Sequence, residues 1–336
     1  MLNRLMVALV VLPMASIDAQ WKPLTTGTSA SLRGLSVVDA RTVWASGTNG
    51  TVILSTDGGA TWTVNTVPGA EKVDIRALHA RSARVAHVAS TTGVIWRTTD
   101  GGKSWSVRYQ PTDTTTFVDA IDFWDDRHGI ALGDPMGGRY LILLTDDAGA
   151  TWKEAPAAGR PAANQGESAF AASGSSLIVD GNSTVWLGTG GMTSRLHVSR
   201  DRSQSWSAVP APMRQGERSQ GYFSLTRSGA EILGVGGDYR VDSATAGNVS
   251  RYDPSTKAWA PATVQPPRAY RSGVAVHQRL AIAVGPSGSD ISRDGGATWS
   301  ALDATGFHAV RASRDGTFFA SGSDGRVGVY HATAPR

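Results

Sequence analysis

The chain has 336 residues, no cysteine, and a formal net charge of +4 with a sequence pI of about 9.5. The lack of cysteine excludes disulfides, thiolate metal sites and a lipid anchor on a cysteine. The basic residues are mostly arginines scattered along the chain, whereas a nucleic-acid binder concentrates them in a stripe, so we expect no nucleic-acid partner.

The N-terminus has the pattern of a secretory signal peptide. A basic start at residues 1–4 precedes an apolar run over residues 5–15, which is too short to span a bilayer, and Ala19 offers a small residue at a cleavage point. We therefore predict a signal peptide over residues 1–19 and one mature domain over residues 20–336. This domain is expected to be soluble, monomeric, and periplasmic or secreted.

One octapeptide recurs along the mature chain and reads Ser-Thr-Asp-Gly-Gly-Ala-Thr-Trp at residues 55–62. Its Ser and Asp can bond to backbone N–H groups, its glycines allow positive φ, and its Trp buries a large ring as the next strand begins. It resembles the Asp box of β-propellers, which closes the turn between the third and fourth strands of a blade. We predict structural roles for the aspartates of five copies: Asp57, Asp100, Asp147, Asp201 and Asp294.

The tryptophans of this pattern count the blades. A sixth copy, with one more residue between Asp and Trp, covers residues 252–259, and Trp21 stands where a seventh would end. No strands precede Trp21, while residues 307–331 have the pattern of three strands without a fourth. Pairing the two segments would close a ring and remove exposed edges. The predicted fold is all-β: a single seven-bladed propeller of four-stranded blades.

A second repeated feature gives the same count. Each unit opens with a small residue followed by an apolar one, as expected for innermost strands crowded around an axis. The small residues are Gly34, Ala77, Ala120, Ala169, Ser224, Gly273 and Ala309.

Residues next to these pairs, together with the loops after the second strands, are predicted to line one mouth of the channel, where loops of such folds bind ligands. The candidate ligand-binding residues are Arg33, Arg76, Asp119, Glu167, Arg195, Asp238, Tyr239, Arg240, Arg271 and His308.

Three segments near this mouth have two interpretations each. Residues 157–166 and 211–220 are polar and rich in Pro, Gly and Arg, so they either arch over the mouth or serve as solvated linkers. The Gly-Gly-Asp-Tyr-Arg segment at 236–240 could hold an anionic ligand or plug the channel, and the plug is favoured because buried Asp and Arg normally pair.

The strongest candidates for catalysis are Asp119 and Glu167, since paired carboxylates can carry out glycoside hydrolysis. An ion pair with Arg76 or Arg271 in the channel is the favoured alternative. The histidines have no close metal-ligand spacing, and no glycine-rich loop opens a helix for a dinucleotide. We therefore expect no metal and no cofactor.

The repeated octapeptide, the segment at residues 117–129 and the Val-Gly-Gly-Asp-Tyr-Arg segment at 235–240 resemble bacterial propellers related to the photosystem II assembly and stability factors of cyanobacteria and chloroplasts. The resemblance spans the mature chain. It implies a non-catalytic factor that binds a membrane-protein subunit through an arginine-rich surface. Sialidases share the propeller and its Asp boxes, but their Arg-Ile-Pro sequence is absent here.

The sequence thus predicts an exported binding or assembly propeller. Its expected ligand is a protein segment or an anionic group held at the charged mouth, and its expected partner is an envelope or membrane protein. The alternative is a carbohydrate-active enzyme that acts on a glycan through Asp119 and Glu167.

Overall fold

A computed structural model of the chain describes residues 20–332. The predicted signal peptide, residues 1–19, lies outside this part. The described chain forms seven antiparallel sheets, six of four strands and one of six. Between residues 20 and 332, no helix combines the length and the apolar character that crossing a bilayer requires. The predicted all-β, seven-bladed fold is confirmed.

The first three blades each use four consecutive strands. Blade 1 contains β2 (Leu32–Val37), β3 (Val43–Gly47), β4 (Thr51–Ser55) and β5 (Thr63–Thr66). Blade 2 contains β6 (Ile75–Ala80), β7 (Ala86–Ser90), β8 (Ile95–Thr98) and β9 (Ser106–Tyr109). Blade 3 contains β10 (Val118–Phe123), β11 (Gly129–Met136), β12 (Arg139–Thr145) and β13 (Lys153–Glu154).

Blade 4 is preceded by the 3-10 helix Ala157–Gly159, and a short ribbon is associated with it. The ribbon pairs β14 (Glu167–Ser168) with β17 (Gly190–Gly191) and joins the sheet of blade 5. Blade 4 itself contains β15 (Leu177–Asp180), β16 (Thr184–Gly188), β18 (Arg195–Ser199) and β19 (Ser207–Pro210).

The remaining blades complete the ring. Blade 5 contains β20 (Gln220–Ser228), β21 (Glu231–Asp238), β22 (Val249–Asp253) and β23 (Ala258–Trp259). Blade 6 contains β24 (Gly273–His277), β25 (Leu280–Gly285), β26 (Gly288–Ser292) and β27 (Ser300–Asp303). Blade 7 contains β28 (Ala309–Ala312), β29 (Thr317–Ser321), β30 (Val327–His331) and, from the other end of the chain, β1 (Lys22–Leu24).

The N-terminal strand closes the ring as predicted. Strand β1 pairs antiparallel with β30, with Pro23 opposite Gly328. The adjacent Trp21 is only 7% exposed, and its indole N–H donates to the Ser289 hydroxyl of blade 6 at 2.9 Å. Its ring packs against Phe307 at a centroid distance of 5.2 Å. One tryptophan therefore ties the terminal strand to two blades at once.

Each recurring octapeptide forms a hydrogen-bonded turn between the third and fourth strands of a blade. In the first copy, the Ser55 hydroxyl accepts from the Gly59 N–H and donates to the Asp57 carboxylate, both at 2.8 Å. Asp57 also accepts from the N–H and hydroxyl of Thr61, at 2.9 and 2.6 Å. The Trp62 indole donates to the Gly59 carbonyl at 3.1 Å. Gly58 and Gly59 both have positive φ, as the sequence predicts.

The turn geometry persists where glycines are replaced. In the copies around Asp147 and Asp201, Ala148 and Arg202 take the φ > 0 position at +63° and +56°, which is strained for a residue with a Cβ. The hydrogen bonds to the two aspartates are the same as in the first copy. Side-chain hydrogen bonds therefore hold the turn where glycine does not.

The first strand of blade 4 begins later than the sequence predicts. The pair Ala169-Phe170 was expected to open it, but β15 begins at Leu177, and Ser176-Leu177 are the small and apolar residues at this position. The prediction is wrong for this blade because a chain segment, residues 169–176, is inserted before the strand. We call it the cross-channel segment.

Candidate binding site at the channel mouth

Irregularities in the innermost strands direct side chains toward one end of the channel. In β2, β6, β10 and β20 the ladder register shifts around a single residue, and these residues are Arg33, Arg76, Asp119 and Phe223. A bulge leaves one residue unpaired and re-aims its side chain. The position that the sequence analysis placed before each small residue is therefore a bulge in four blades.

The cross-channel segment closes the channel below this end. Its Ser175 pairs in parallel with Ser224 of blade 5, and the Ser173 carbonyl accepts from Arg311 of blade 7 at 2.9 Å. Gly174, with φ +66°, lies against the backbone of Arg76 in blade 2. Contacts to blades 2, 5 and 7 mean that the segment crosses the axis. The Gly-Gly-Asp-Tyr-Arg segment, favoured as a plug from the sequence, does not fill this role.

Above the cross-channel segment lies a cavity of about 330 Å³, which we call the mouth pocket. Four of the predicted ligand-binding residues line it together with aromatic and small residues that the prediction did not include. The lining residues are Arg33, Arg76, Phe170, Ala171, Ala172, Phe223, Tyr239, Tyr270, Ser272, Pro286 and His308.

One wall of the mouth pocket is aromatic. Phe170 stacks on Phe223 with ring centroids 4.1 Å apart and planes 14° from parallel. Tyr270 and Tyr239 meet Phe223 edge-on at 4.7 and 6.1 Å. Tyr239 remains 49% exposed, whereas Phe223 and Tyr270 are buried. Such a wall can contact an apolar or aromatic side chain of a ligand, with Tyr239 at the entrance.

Two arginines give the pocket its charge. Arg76 donates to Asp74 at 2.7 Å. Arg33 has no carboxylate within 4.0 Å among residues 20–332. Burial lowers the pKa of Arg33 and the positive charge of Arg76 lowers it further, whereas the charge of Asp74 partly opposes both. A partly desolvated guanidinium without a salt-bridge partner is unfavourable, so this pocket favours an anionic group.

His308 contributes hydrogen-bonding capacity rather than charge. Its Nε2 lies 3.2 Å from the Ser31 hydroxyl and 3.1 Å from the Ser323 hydroxyl. Burial, reinforced by the positive charges of Arg33 and Arg76, lowers the pKa of His308 to about 3. The imidazole is therefore neutral at pH 7, and the arginines alone carry the positive charge of the pocket.

The two candidate catalytic carboxylates are not brought together in this pocket. Asp119 is 1% exposed and is absent from the pocket lining. Burial raises its pKa well above the usual range; the charge of Asp134 raises it further, and Arg76 opposes both. The expected ion pair between Asp119 and Arg76 does not form, because Arg76 pairs with Asp74 instead.

Glu167 lies in a different cluster, formed by the short ribbon and blade 4. It accepts from Arg195 at 3.1 Å, from Thr189, and from the buried His197 at 3.2 Å. Burial raises the pKa of Glu167, but these hydrogen bonds outweigh it and bring the pKa to about 2. Its partner is thus Arg195 and not Arg76 or Arg271. The pair of Glu167 and Arg195 ties the ribbon to blade 4 and lies outside the mouth pocket.

The remaining predicted ligand-binding residues also lie outside the pocket. Arg271 is 1% exposed and pairs with the buried Asp290 at 2.6 Å. Asp238 is buried and accepts from Gln220 at 2.9 Å. Arg240 is exposed and does not line the cavity. In blades 5 and 6, therefore, the charged groups predicted for binding serve mainly to hold the structure together.

The two long polar segments are fixed to neighbouring loops and do not line the mouth pocket. In residues 157–166, the N–H of Ala163 donates to the Gly138 carbonyl at 2.9 Å. In residues 211–220, the N–H of Gly216 donates to the Gly191 carbonyl at 3.0 Å. Within residues 20–332, no group of His, Cys, Asp and Glu side chains has an arrangement that could hold a metal ion.

Fold and site together define a seven-bladed propeller with a closed channel and an arginine-aromatic pocket at one end. Residues 13–110 match the family model described as Photosynthesis system II assembly factor YCF48. The predicted resemblance to the photosystem II assembly factors is therefore confirmed. No curated protein sequence matches the chain.

Solved structures support the same fold at low sequence identity. One described as YCF48 bound to D1 peptide has a TM-score of 0.67 and 16% identity, covering 96% of this chain and 100% of its own. YCF48 from Cyanidioschyzon merolae has a TM-score of 0.66 and 19% identity, covering 93% and 99%. The GH74 enzyme of Niastella koreensis has a TM-score of 0.61 and 13% identity, covering 91% of this chain and 53% of its own. At such identities the likeness shows the fold alone, and this fold serves both binding proteins and enzymes.

Proposed function

We propose that this protein is a non-catalytic assembly propeller that binds a protein segment in the mouth pocket. The observation that carries the proposal is Arg33, a partly buried guanidinium without a counter-ion, facing the same cavity as the aromatic wall of Phe170, Phe223, Tyr239 and Tyr270. This combination fits a segment that places a carboxylate next to an apolar or aromatic side chain. The structure of a YCF48 protein with a D1 peptide is consistent with this kind of ligand.

The partner we propose is an envelope or membrane protein. The proposal is supported by the signal-like pattern of residues 1–19, which is typical of proteins exported to the periplasm or out of the cell. The turns around the five aspartates, which we interpret as Asp boxes, have no part in binding, since their carboxylates are engaged by their own turns.

The enzyme alternative receives less support from the geometry. A glycosidase needs two carboxyl groups facing one open site. Asp119 is buried beside Asp134, and Glu167 is held by Arg195 and His197. Neither faces the mouth pocket, so a glycan bound there would meet no acid or nucleophile from this pair.

Binding of envelope proteins to variants of equal stability tests the proposal. The purified protein is compared with Arg33→Gln, Tyr239→Ala and the control Arg240→Gln, which removes an exposed arginine next to Tyr239 but outside the pocket. We expect one protein to be retained by the wild type and the control and lost by both pocket variants. Synthetic peptides from that protein should then bind with the same dependence on Arg33.

Two results would contradict the proposal. Retention that is unaffected by Arg33→Gln and Tyr239→Ala would place the binding surface elsewhere. Turnover of a glycan that is abolished by Asp119→Asn or Glu167→Gln, in variants that melt normally, would favour the enzyme.

A further inference from the structure

A second cavity lies on the channel axis, on the other side of the cross-channel segment. It has a volume of about 230 Å³ and is lined by the innermost strands of all seven blades. In each blade, the lining residues come after the mouth position along the strand: Ser36 follows Arg33 and His79 follows Arg76. We call it the lower chamber. At about 30 Å³ per water, it has room for several waters or a small ligand.

The lower chamber contains one arginine, Arg311 of blade 7. Two of its N–H groups donate to backbone carbonyls, those of Val310 and Ser173, both at 2.9 Å. A guanidinium has five N–H donors. Within residues 20–332 no carboxylate lies within 4.0 Å of Arg311, so its charge has no ion-pair partner.

Asp122 also lines the lower chamber, but both of its carboxylate oxygens already accept hydrogen bonds. One of its oxygens accepts from the His79 imidazole at 3.1 Å and from the Phe123 N–H at 2.9 Å. The other accepts from the Val179 N–H at 2.8 Å. Asp122 thus holds blades 2, 3 and 4 together at the chamber wall and makes no salt bridge with Arg311.

Hydroxyl groups add further donors on the same cavity. The Ser36 hydroxyl accepts from the Ala80 N–H at 2.9 Å, which leaves its own hydrogen free to donate. Thr226 also lines the chamber and makes no hydrogen bond through its hydroxyl to other residues in the 20–332 range. Ser36, Thr226 and Arg311 are all partly exposed, so solvent reaches them.

We propose that the lower chamber is a binding site for a small oxyanion, a phosphate or a short carboxylate, held by Arg311 with hydroxyl donors from Ser36 and Thr226. The planar guanidinium can form paired hydrogen bonds with a phosphate or a carboxylate. The oxygens of either group can also accept hydrogen bonds from the two hydroxyls. Burial lowers the pKa of Arg311 to about 10, partly offset by the charge of Asp122, so the residue stays protonated at neutral pH. Because Arg311 also bonds to Ser173, a bound anion would stabilise the cross-channel segment.

The site is tested by titrating the purified protein with inorganic phosphate, acetate or succinate. Sodium chloride keeps the ionic strength constant, and calorimetry and thermal melting measure binding. We expect at least one of these oxyanions to bind and to raise the Tm above that in chloride alone. Arg311→Gln should abolish binding. Thr226→Val, which keeps Arg311 and its backbone contacts, should weaken it roughly tenfold, as expected for one hydrogen bond to a charged group.

Arg33→Gln is the matched control, because it alters the mouth pocket and leaves the lower chamber intact. Unchanged oxyanion binding in this variant separates the site from the proposed protein-binding function. Failure of all three oxyanions to exceed chloride would overturn the proposal, as would binding lost in Arg33→Gln and kept in Arg311→Gln. If Arg311→Gln does not fold, unchanged affinity in Thr226→Val would overturn it.

Discussion

The outer turns and the region around the channel mouth place their charged side chains in opposite environments. In the turn of blade 1, Asp57 is satisfied by partners within four residues, and the hydrogen bonds from Thr61 and Ser55 lower its pKa to about 2. At the mouth, Asp119 is buried without such donors, and its pKa is raised. Arg33 faces the pocket without a counter-ion.

The difference shows where this fold keeps unbalanced charge. The turns neutralise their own carboxylates by local hydrogen bonds and leave nothing for a ligand. At the mouth, side chains from several blades meet, and the packing of the blades determines which hydrogen-bond and ion-pair partners each side chain has. Unsatisfied groups of this kind are typical of functional sites.

The largest expected effect concerns blade 7, whose outer strand comes from the N-terminus without a preceding turn. Deletion of residues 20–24 removes Trp21 and β1 and leaves the edge of β30 unpaired. We expect a loss of several kcal/mol, since truncation of a buried aromatic residue alone costs about 3–5 kcal/mol. Chemical denaturation measures it, and an unchanged midpoint would contradict the closure.

The second-largest loss of stability is expected when the ion pair of Arg271 and Asp290 is broken. Asp290→Asn leaves the buried Arg271 guanidinium without its carboxylate. We expect a destabilisation of about 3–5 kcal/mol, as for other buried pairs that lose one partner. The exposed Arg240→Gln is the control and should change stability by less than about 0.5 kcal/mol. Equal effects in both variants would show that the Arg271 pair is not important for stability.

Asp119→Asn tests the unbalanced side of the comparison through pH. Because burial raises the folded-state pKa of Asp119, its contribution to stability is fully present below the unfolded value and is lost as pH rises toward the folded value. The amide resembles the protonated acid, so the variant should be more stable than the wild type at pH 7. We expect a gain of about one to a few degrees in Tm, as for a change of about 1 kcal/mol in the free energy of unfolding. The gain should shrink near pH 4. A lower Tm at pH 7 would indicate an ionised Asp119.

The smallest effect is expected at a single outer turn. Asp57→Ala removes the hydrogen bonds that its carboxylate accepts from Thr61 and Ser55 at an exposed site, and the four other turns of this kind remain. A modest fall in Tm should follow, with no loss of binding at the mouth. Melting together with the binding assay measures both, and lost binding would assign the turns a role in recognition.

The sequence predicts the local features well because their partners are close along the chain. The turn around Asp57 is complete within residues 55–62, and seven of the eleven tryptophans, those at the repeated position, count the blades. Closure by residues 20–24 follows from one surplus strand and one missing strand. The bulge at Arg33 was predicted as a mouth position because it directly precedes a small residue of the innermost strand.

The sequence predicts the pairings less well. Arg271 and Asp290 are 19 residues apart, and nothing in either local pattern indicates that they meet. The cross-channel segment at 169–176 has an Ala-Phe pair that resembles the start of an innermost strand, so the sequence predicts a strand at Phe170, which instead lies in the pocket wall. Its contacts to Ser224 and Arg311 are long-range and become visible only in the folded ring.

Site-specific photo-crosslinking tests the central claim, that the mouth pocket holds a protein segment. A photoreactive phenylalanine analogue replaces Tyr239 at the pocket entrance or, as a control, Lys257 in an outer turn. We predict that the probe at position 239 crosslinks to one envelope protein, that Arg33→Gln abolishes the product, and that the probe at position 257 gives none. Crosslinks from position 257 alone, or crosslinks from position 239 that persist in Arg33→Gln, would contradict the account.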